Sequence, residues 1–237
     1  AEYNPFECIH TNVLGAENIV NSAVDSCVKH VVALSTDKAV NPINIYGASK
    51  LAADKIFVAA NAYTADTGVC FSVVRYGNVI GSRGSIIPLF RKLLNEGADS
   101  LPITDERMTR FWITMEQGIK CVLSSLFMHQ GGEIFVPKVP SMKIVDLVEA
   151  LAPNISTHVI GIRPGEKLHE VLIGGDDTAE VIDIGDRYVI CPQHNDKVAR
   201  YYLDNGGRKI GYGFKYSSDN NNDWMGKEQF SKLMENL

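Results

Sequence analysis

The stretch that most constrains this 237-residue chain is "HVVALS", His30 to Ser35, where apolar residues fill consecutive rather than alternate positions. An alternating strand has one wet face, whereas a run of this kind needs cover on both faces, as in parallel α/β sheets. Its neighbours agree. Between Thr11 and His30, Val13, Ala16, Val20, Ala23, Val24 and Cys27 recur mostly at three- and four-residue steps, the mark of an amphipathic helix. A second helix is predicted from about Tyr46 through "LAADKIFVAANAY"; Gly68 breaks that pattern, and "VCFSVVRY" reads as another buried strand. Helix, strand, helix, strand predicts an α/β fold built on a doubly wound parallel sheet, with ligands beyond the carboxyl ends of its strands.

"STDK" and "GNVIGSRGS" stand at two such ends. After Ser85 the texture changes. "MEQGIKCVLSSLFM" and "MKIVDLVEAL" read as helices and "EIFV", "THVIGI" and "RYVICP" as short strands, punctuated by Pro137, Pro140, Pro153 and Pro164. Residues 1–84 are therefore assigned to the sheet domain and 85–237 mainly to a smaller α+β lobe, some of whose elements return to the sheet. "YSSDNNNDW" predicts a loop before a final short helix.

Composition narrows the function classes. A net charge of −5, with no Lys/Arg-rich run, argues against a nucleic-acid partner held by phosphate neutralisation. Five scattered cysteines, without a C-x-x-C pair or a histidine at ligand spacing, predict reduced thiols and no metal site. No apolar run approaches the roughly 18 residues of a membrane span and no signal-peptide pattern opens the chain, so no membrane role and a cytoplasmic location are expected.

Tyr46 and Lys50 stand at i and i+4, which places them on one face near a helix start. An ammonium beside a phenol lowers its pKa from about 10 and makes it a usable base. Y-x-x-x-K alone fits an exposed helix face equally well. The strand ending in Ser35-Thr36 just upstream gives it a context.

A strand, Ser/Thr, a loop and Y-x-x-x-K together resemble the extended short-chain dehydrogenase/reductase family, a Rossmann-like fold. "LSTDKAVNPINIYGASKLAADK", "SVVRYGNVIGSRGSIIPLF", "PITDERMTRFWIT", "GGEIFVPKVPSMK" and "IGIRPGEKLHEVLI" are together similar to its inverting UDP-N-acetylglucosamine 4,6-dehydratases, which open the route to pseudaminic acid. The resemblance runs almost the length of the chain. It implies NADP as cofactor, residues 1–84 as the later part of the NADP-binding domain, 85–237 as the nucleotide-sugar lobe, and a homo-oligomer. Members begin with a strand and a G-x-G-x-x-G turn that holds the pyrophosphate. That turn is absent here, and "GSRGS" (Gly81 to Ser85) has another spacing. The expectation is that about 90 residues, three strands with their helices, precede this segment in a complete member, and that the chain as written binds cofactor poorly or not at all.

The resemblance also distributes roles. Tyr46 takes the sugar C4 hydroxyl proton while hydride passes to NADP, Thr36 holds that oxygen, and Lys50 holds Tyr46 and the nicotinamide ribose. Lys38 removes the C5 proton and Asp37 protonates the departing C6 hydroxyl. Lys38 must then be lowered toward neutrality by nearby cations and Asp37 raised by burial. Retaining relatives carry an Asp-Glu pair after the threonine, so Asp37-Lys38 points to inversion. Ser35 and Val79 fall to the cofactor; Asn78, Arg83, Arg91, Arg110, Arg163 and Glu166 fall to the nucleotide sugar, because guanidinium forks suit diphosphates and a carboxylate suits ribose hydroxyls. Plainer duties compete: a turn cap for Asp37, solvent for Lys38, a glycine-loosened loop for "GSRGSIIPLFR", a charged surface turn for Arg163 to Lys167. Phe111 and Trp112 read as core and His169 as structural. Alternatives are a C4 epimerase, which needs Tyr46 and Lys50 but not Asp37-Lys38, a retaining dehydratase, and a non-catalytic fragment.

Overall fold

The computed structural model describes residues 1–175, 180–193 and 195–235. The chain divides into two compact units: residues 1–76, 117–138 and 171–216, and residues 77–116, 139–170 and 217–237. The sequence reading set its boundary a few residues further on, between 84 and 85.

In the first unit, helix α1 (Pro5–Ile9), a π turn (His10–Leu14) and α2 (Gly15–Asp25) run end to end. The predicted helix thus stops at Asp25, and His30 opens strand β1 (His30–Thr36) instead of closing the helix. Helix α3 (Ile45–Tyr63) and strand β2 (Cys70–Tyr76) follow, with β2 parallel to β1 in the register His30 to Cys70 through Thr36 to Tyr76. The sheet continues through β6 (Ile134–Pro137), parallel to β2, then turns antiparallel through β11 (Arg187–Ile190), β10 (Val181–Asp183) and β12 (Arg208–Lys209). The order β1-β2-β6-β11-β10-β12 makes a mixed sheet: a Rossmann-like parallel half and an antiparallel extension built from the returning elements.

Alternation along β2 sorts its side chains between two helical layers. Phe71 and Arg75 face α3, where Phe57 and Asp54 meet them. Val74 faces the other way, into a core shared with Cys121 of α5 (Met115–Met128), Phe135, and Val198, Ala199 and Tyr202 of α7 (Asp196–Asp204). Helices on both faces satisfy the doubly wound expectation. One detail does not follow it. β2 is buried along its length, but β1 is mostly half-buried with Leu34 exposed. Among the described residues β1 pairs with β2 alone, so its apolar run has less cover here than that of a central strand. The short β9 (Val171–Ile173) lies beside the turn that follows β1.

The second unit is α+β. Strand β5 (Thr109–Ile113) pairs parallel with β3 (Asn78–Val79) and antiparallel with β7 (Ser141–Lys143), and β4 (Ser100–Ile103) pairs parallel with β8 (Ser156–Val159). Its core joins Trp112, Leu101 and Ile103 to Phe90 of α4 (Ile86–Asn95), Leu147 of α6 (Ile144–Leu151) and Phe230 of α8 (Lys227–Glu235). Phe111 and Trp112 are fully buried, as expected of core. β13 (Tyr216–Ser217) replaces the start of the predicted polar loop.

Candidate functional site

Strand β1 delivers its last residues into a short 3-10 turn, Asp37–Ala39, capped by Thr36. The Thr36 hydroxyl accepts from the Lys38 amide at 3.4 Å and donates to Asp37 Oδ1 at 2.8 Å. Lys38 Nζ donates to the same Oδ1 at 2.9 Å. Asp37 is fully buried, and its second oxygen, Oδ2, is buried without a hydrogen-bond partner. The Lys38 side chain is 37% exposed. A buried carboxylate thus has one oxygen tied to a hydroxyl and an ammonium and the other still able to accept or carry a proton.

Helix α3 brings Tyr46 and Lys50 to this turn because its start can approach closely. Asn44 caps it, its side-chain oxygen accepting from the Gly47 amide at 2.7 Å. A Cβ on residue 47 would lie 2.3 Å from the Lys38 carbonyl oxygen, so only glycine permits the contact. Lys50 Nζ donates to the Leu34 carbonyl at 2.6 Å and pins the helix to the end of β1. The Tyr46 ring is 38% exposed. Burial raises its phenol above the ordinary value; Lys38 opposes that shift and Asp37 reinforces it. This corrects the expectation that Lys50 would lower Tyr46: the opposing cation is Lys38, and desolvation outweighs it. The Ser35 hydroxyl points into the body of the unit, donating to Asp54 Oδ2 at 2.8 Å, with Arg75 on the same oxygen at 3.1 Å. Ser35 therefore has only its backbone to offer a cofactor.

The predicted residues of the second unit form separate groups. Asn78 and Val79 lie in β3 beside Trp112 and Ile113, and Asn78 Oδ1 is buried without a donor. Arg83 and Arg91 are exposed. Arg110 is buried, and its guanidinium donates to the carbonyls of Thr109 (2.7 Å), Leu168 (3.1 Å) and Lys167 (3.0 Å) and to Glu166 Oε1 (3.4 Å), with Glu170 at 3.7 Å. Such a group has no fork left for a diphosphate, which corrects that expectation: Arg110 holds the "RPGEKLHE" loop. Glu166 in turn accepts from the Arg163 amide at 3.4 Å, while the Arg163 side chain is exposed. His169 bonds Thr109 at 2.8 Å, the structural role read for it.

Sequence reading passed over Asn44 and Gly47, although an Asn three residues before a Gly at a helix start is a capping signal. It also missed a cluster at the other end of β1 and β2, where His30, Cys70 and His129 meet; no spacing rule could find residues so far apart in the chain. A cavity of about 700 Å³ lies against α3 on the side of Leu51, Lys55 and Val58, yet none of Thr36, Asp37, Lys38, Tyr46 and Lys50 lines it. Cavity size alone would misplace the chemistry.

A tyrosine and a lysine of one helix and an aspartate-lysine ion pair thus stand around the carboxyl end of a parallel strand of an α/β sheet. The polysaccharide biosynthesis protein model matches residues 1–192, and the chain belongs to that family. It is 52% identical over 239 residues to the UDP-N-acetylglucosamine 4,6-dehydratase (inverting) of Campylobacter jejuni subsp. jejuni, covering 99% of this chain and 72% of that protein. It is 39% identical over 224 residues to a UDP-glucose 4-epimerase of Rickettsia canadensis, covering 92% and 65%. Among solved structures, Pen from Bacillus thuringiensis superposes with a TM-score of 0.88 at 33% identity, over 99% of this chain and 71% of that one. A dTDP-glucose 4,6-dehydratase from Streptomyces venezuelae, solved with NAD, shares the fold at a TM-score of 0.62 and 24% identity, over 83% and 67%. No helix among the described residues is long and apolar enough to cross a membrane.

Proposed function

We propose that this protein is a lyase that dehydrates UDP-N-acetylglucosamine at C4–C6 with inversion at C5, using NADP. The observation that carries this reading is the 2.9 Å contact between Lys38 Nζ and a fully buried Asp37 whose other oxygen has no partner. An ion pair and a neutral acid-amine pair hold the same number of protons. One proton moved across that contact turns Asp37 carboxylate and Lys38 ammonium into a carboxylic acid and a free amine. Those are the acid and the base that loss of water from C5 and C6 requires, with no net uptake from solvent.

The residues present fit the nicotinamide end of NADP: Lys50 is fixed at the end of β1 by the Leu34 carbonyl, with Tyr46 one turn away on the same helix. Lys50 would hold the ribose beside the Ser35 backbone, and Val79 is assigned to the cofactor from its own unit. NADP held there would supply a hydride acceptor for C4 and, once reduced, a hydride donor for C6. Tyr46 removes the C4 hydroxyl proton as that oxygen becomes a ketone, and Thr36 steadies the oxygen. The ketone acidifies C5–H, which Lys38 removes, while Asp37 protonates the C6 hydroxyl so that it leaves as water. A solvent-derived proton delivered to the opposite face of C5 would invert that centre. Asn78, Arg83, Arg91 and Arg163 supply the amide and guanidinium donors for the diphosphate, and Glu166 and Arg110 shape the loop around the uridine ribose. A soluble self-associating enzyme of the cytoplasm is the matching cellular form.

The test is the product. The purified protein receives NADP and UDP-N-acetylglucosamine in deuterated water, and the sugar is followed by NMR. A 4-keto-6-deoxy sugar with inverted, deuterated C5 is expected. A galacto-configured sugar that keeps its C6 hydroxyl would make the protein an epimerase, and a product with C5 configuration retained would remove the assigned role of Lys38.

A further inference from the structure

The parallel register of β1 and β2 sets His30 directly beside Cys70 at the start of both strands, about 20 Å from Thr36 by strand rise. Ser72, two residues on, shares the face of Cys70. Helix α5 ends just above them, and His129, whose amide caps onto the Ser125 carbonyl, drops its ring between the strands. His30 Nδ1 lies 2.8 Å from His129 Nε2, and Cys70 Sγ lies 3.5 Å from His129 Nδ1. Ser72 Oγ is 2.9 Å from His129 Nδ1. One ligand atom from each of His30, Cys70 and His129 falls within 4.8 Å of the others.

We propose that His30, Cys70 and His129 form a zinc site at the end of the sheet opposite Asp37 and Tyr46. One thiolate with two imidazoles is a soft, nitrogen-rich set suited to Zn²⁺ among divalent cations, and three protein ligands leave a fourth position for water. Two nitrogens about 2.0–2.1 Å from a tetrahedral zinc stand about 3.3 Å apart, so the histidine pair must open by about half an ångström. His30 can make that movement because it is exposed, and its exposure also gives the ion its way in. Ser72 does what an outer partner of a zinc histidine does: with Nδ1 carrying the proton toward its hydroxyl, the Nε2 lone pair of His129 faces His30. Binding converts the Cys70 thiol to a zinc-bound thiolate and releases its proton to solvent. The ion joins the start of β1, the start of β2 and the end of α5, so its role is to clip these three elements together.

The reduced, metal-free protein is titrated with Co²⁺, a spectroscopic stand-in, and then with Zn²⁺. One equivalent of Co²⁺ should produce the visible bands of a four-coordinate ion and a thiolate-to-cobalt charge-transfer band, both removed by Zn²⁺. Cys70→Ser should abolish the charge-transfer band, Cys27→Ser, at an exposed thiol outside the cluster, should keep it, and His30→Ala should weaken binding at least about tenfold. Because His30 is exposed, that variant tests the site even if Cys70→Ser fails to fold. A titration without the thiolate band, a band that survives Cys70→Ser, or unchanged affinity in His30→Ala would each overturn the assignment.

Discussion

The turn after β1 and the Arg110 cluster are both built from charged side chains packed under little solvent, yet they end in opposite states. Arg110 meets three carbonyls and two carboxylates, and nothing of its fork is left to engage a ligand. Asp37 has one oxygen doubly bonded and the other bare, while Lys38 and Tyr46 keep over a third of their surface in solvent. A saturated buried charge fixes a loop. A buried charge left partly open is costly to keep, which makes sense where protons must move. On the proposed function, what separates Asp37 from Arg110 is unfilled hydrogen-bonding capacity beside a solvent-facing partner.

The largest effect should come from Lys38→Ala, which removes the proposed base and leaves the backbone of the turn in place. Dehydration should fall by about 10²–10⁴-fold, the usual worth of a general base, while NADP binding measured by fluorescence stays unchanged. Equal loss of cofactor binding would place Lys38 among the structural charges and erase the contrast with Arg110. Arg110→Ala is the complementary variant. It strands Glu166 and Glu170 and should lower stability by about 3–5 kcal/mol, read as a shifted denaturant midpoint. Turnover per folded molecule should change far less than in Lys38→Ala.

How much of this was legible in the sequence follows the same division. Periodicity placed α3, β2 and α5, because a helix face and a buried strand leave their pattern in consecutive residues. The resemblance placed Thr36, Asp37, Lys38, Tyr46 and Lys50, and the fold gathers them around one strand end. The saturation of Arg110 was invisible, since two of its acceptors are the backbone carbonyls of Lys167 and Leu168, more than 50 residues downstream, and a carbonyl has no sequence signature. The partial exposure of β1 was also hidden, because cover depends on which strands pair and not on the strand's own residues. The α4 and α7 helices passed unassigned although both carry a clear apolar face; Pro88 lies in the first turn of α4, where a proline does not end a helix.

Gly47 sharpens the contrast from the backbone side. Gly47→Ala drives a Cβ into the Lys38 carbonyl, a backbone atom that cannot swing aside, so α3 or the turn must shift. A cost of about 1–3 kcal/mol in stability is expected, together with loss of dehydration activity, because Tyr46 and the turn no longer meet. If stability falls while activity per folded molecule is kept, the close approach is packing alone and the turn tolerates movement.

The smallest effect separates the two cations near Tyr46. Burial raises the phenol, and Lys38 is the cation that pulls it back down. A base acts in its deprotonated form, so the rate of the first hydride step should rise with pH on the acid limb and level off above the phenol's raised pKa. Lys38→Ala removes the lowering influence and leaves burial and Asp37, both of which raise the value, so the limb should move to higher pH. The shift stays modest because a ring more than a third exposed is partly screened by water. Single-turnover reduction of NADP by the sugar reports this step without the dehydration that the variant lacks. A limb that stays in place in Lys38→Ala but moves in Lys50→Met would return the tuning to Lys50, and the two ammoniums of the segment would then have exchanged duties.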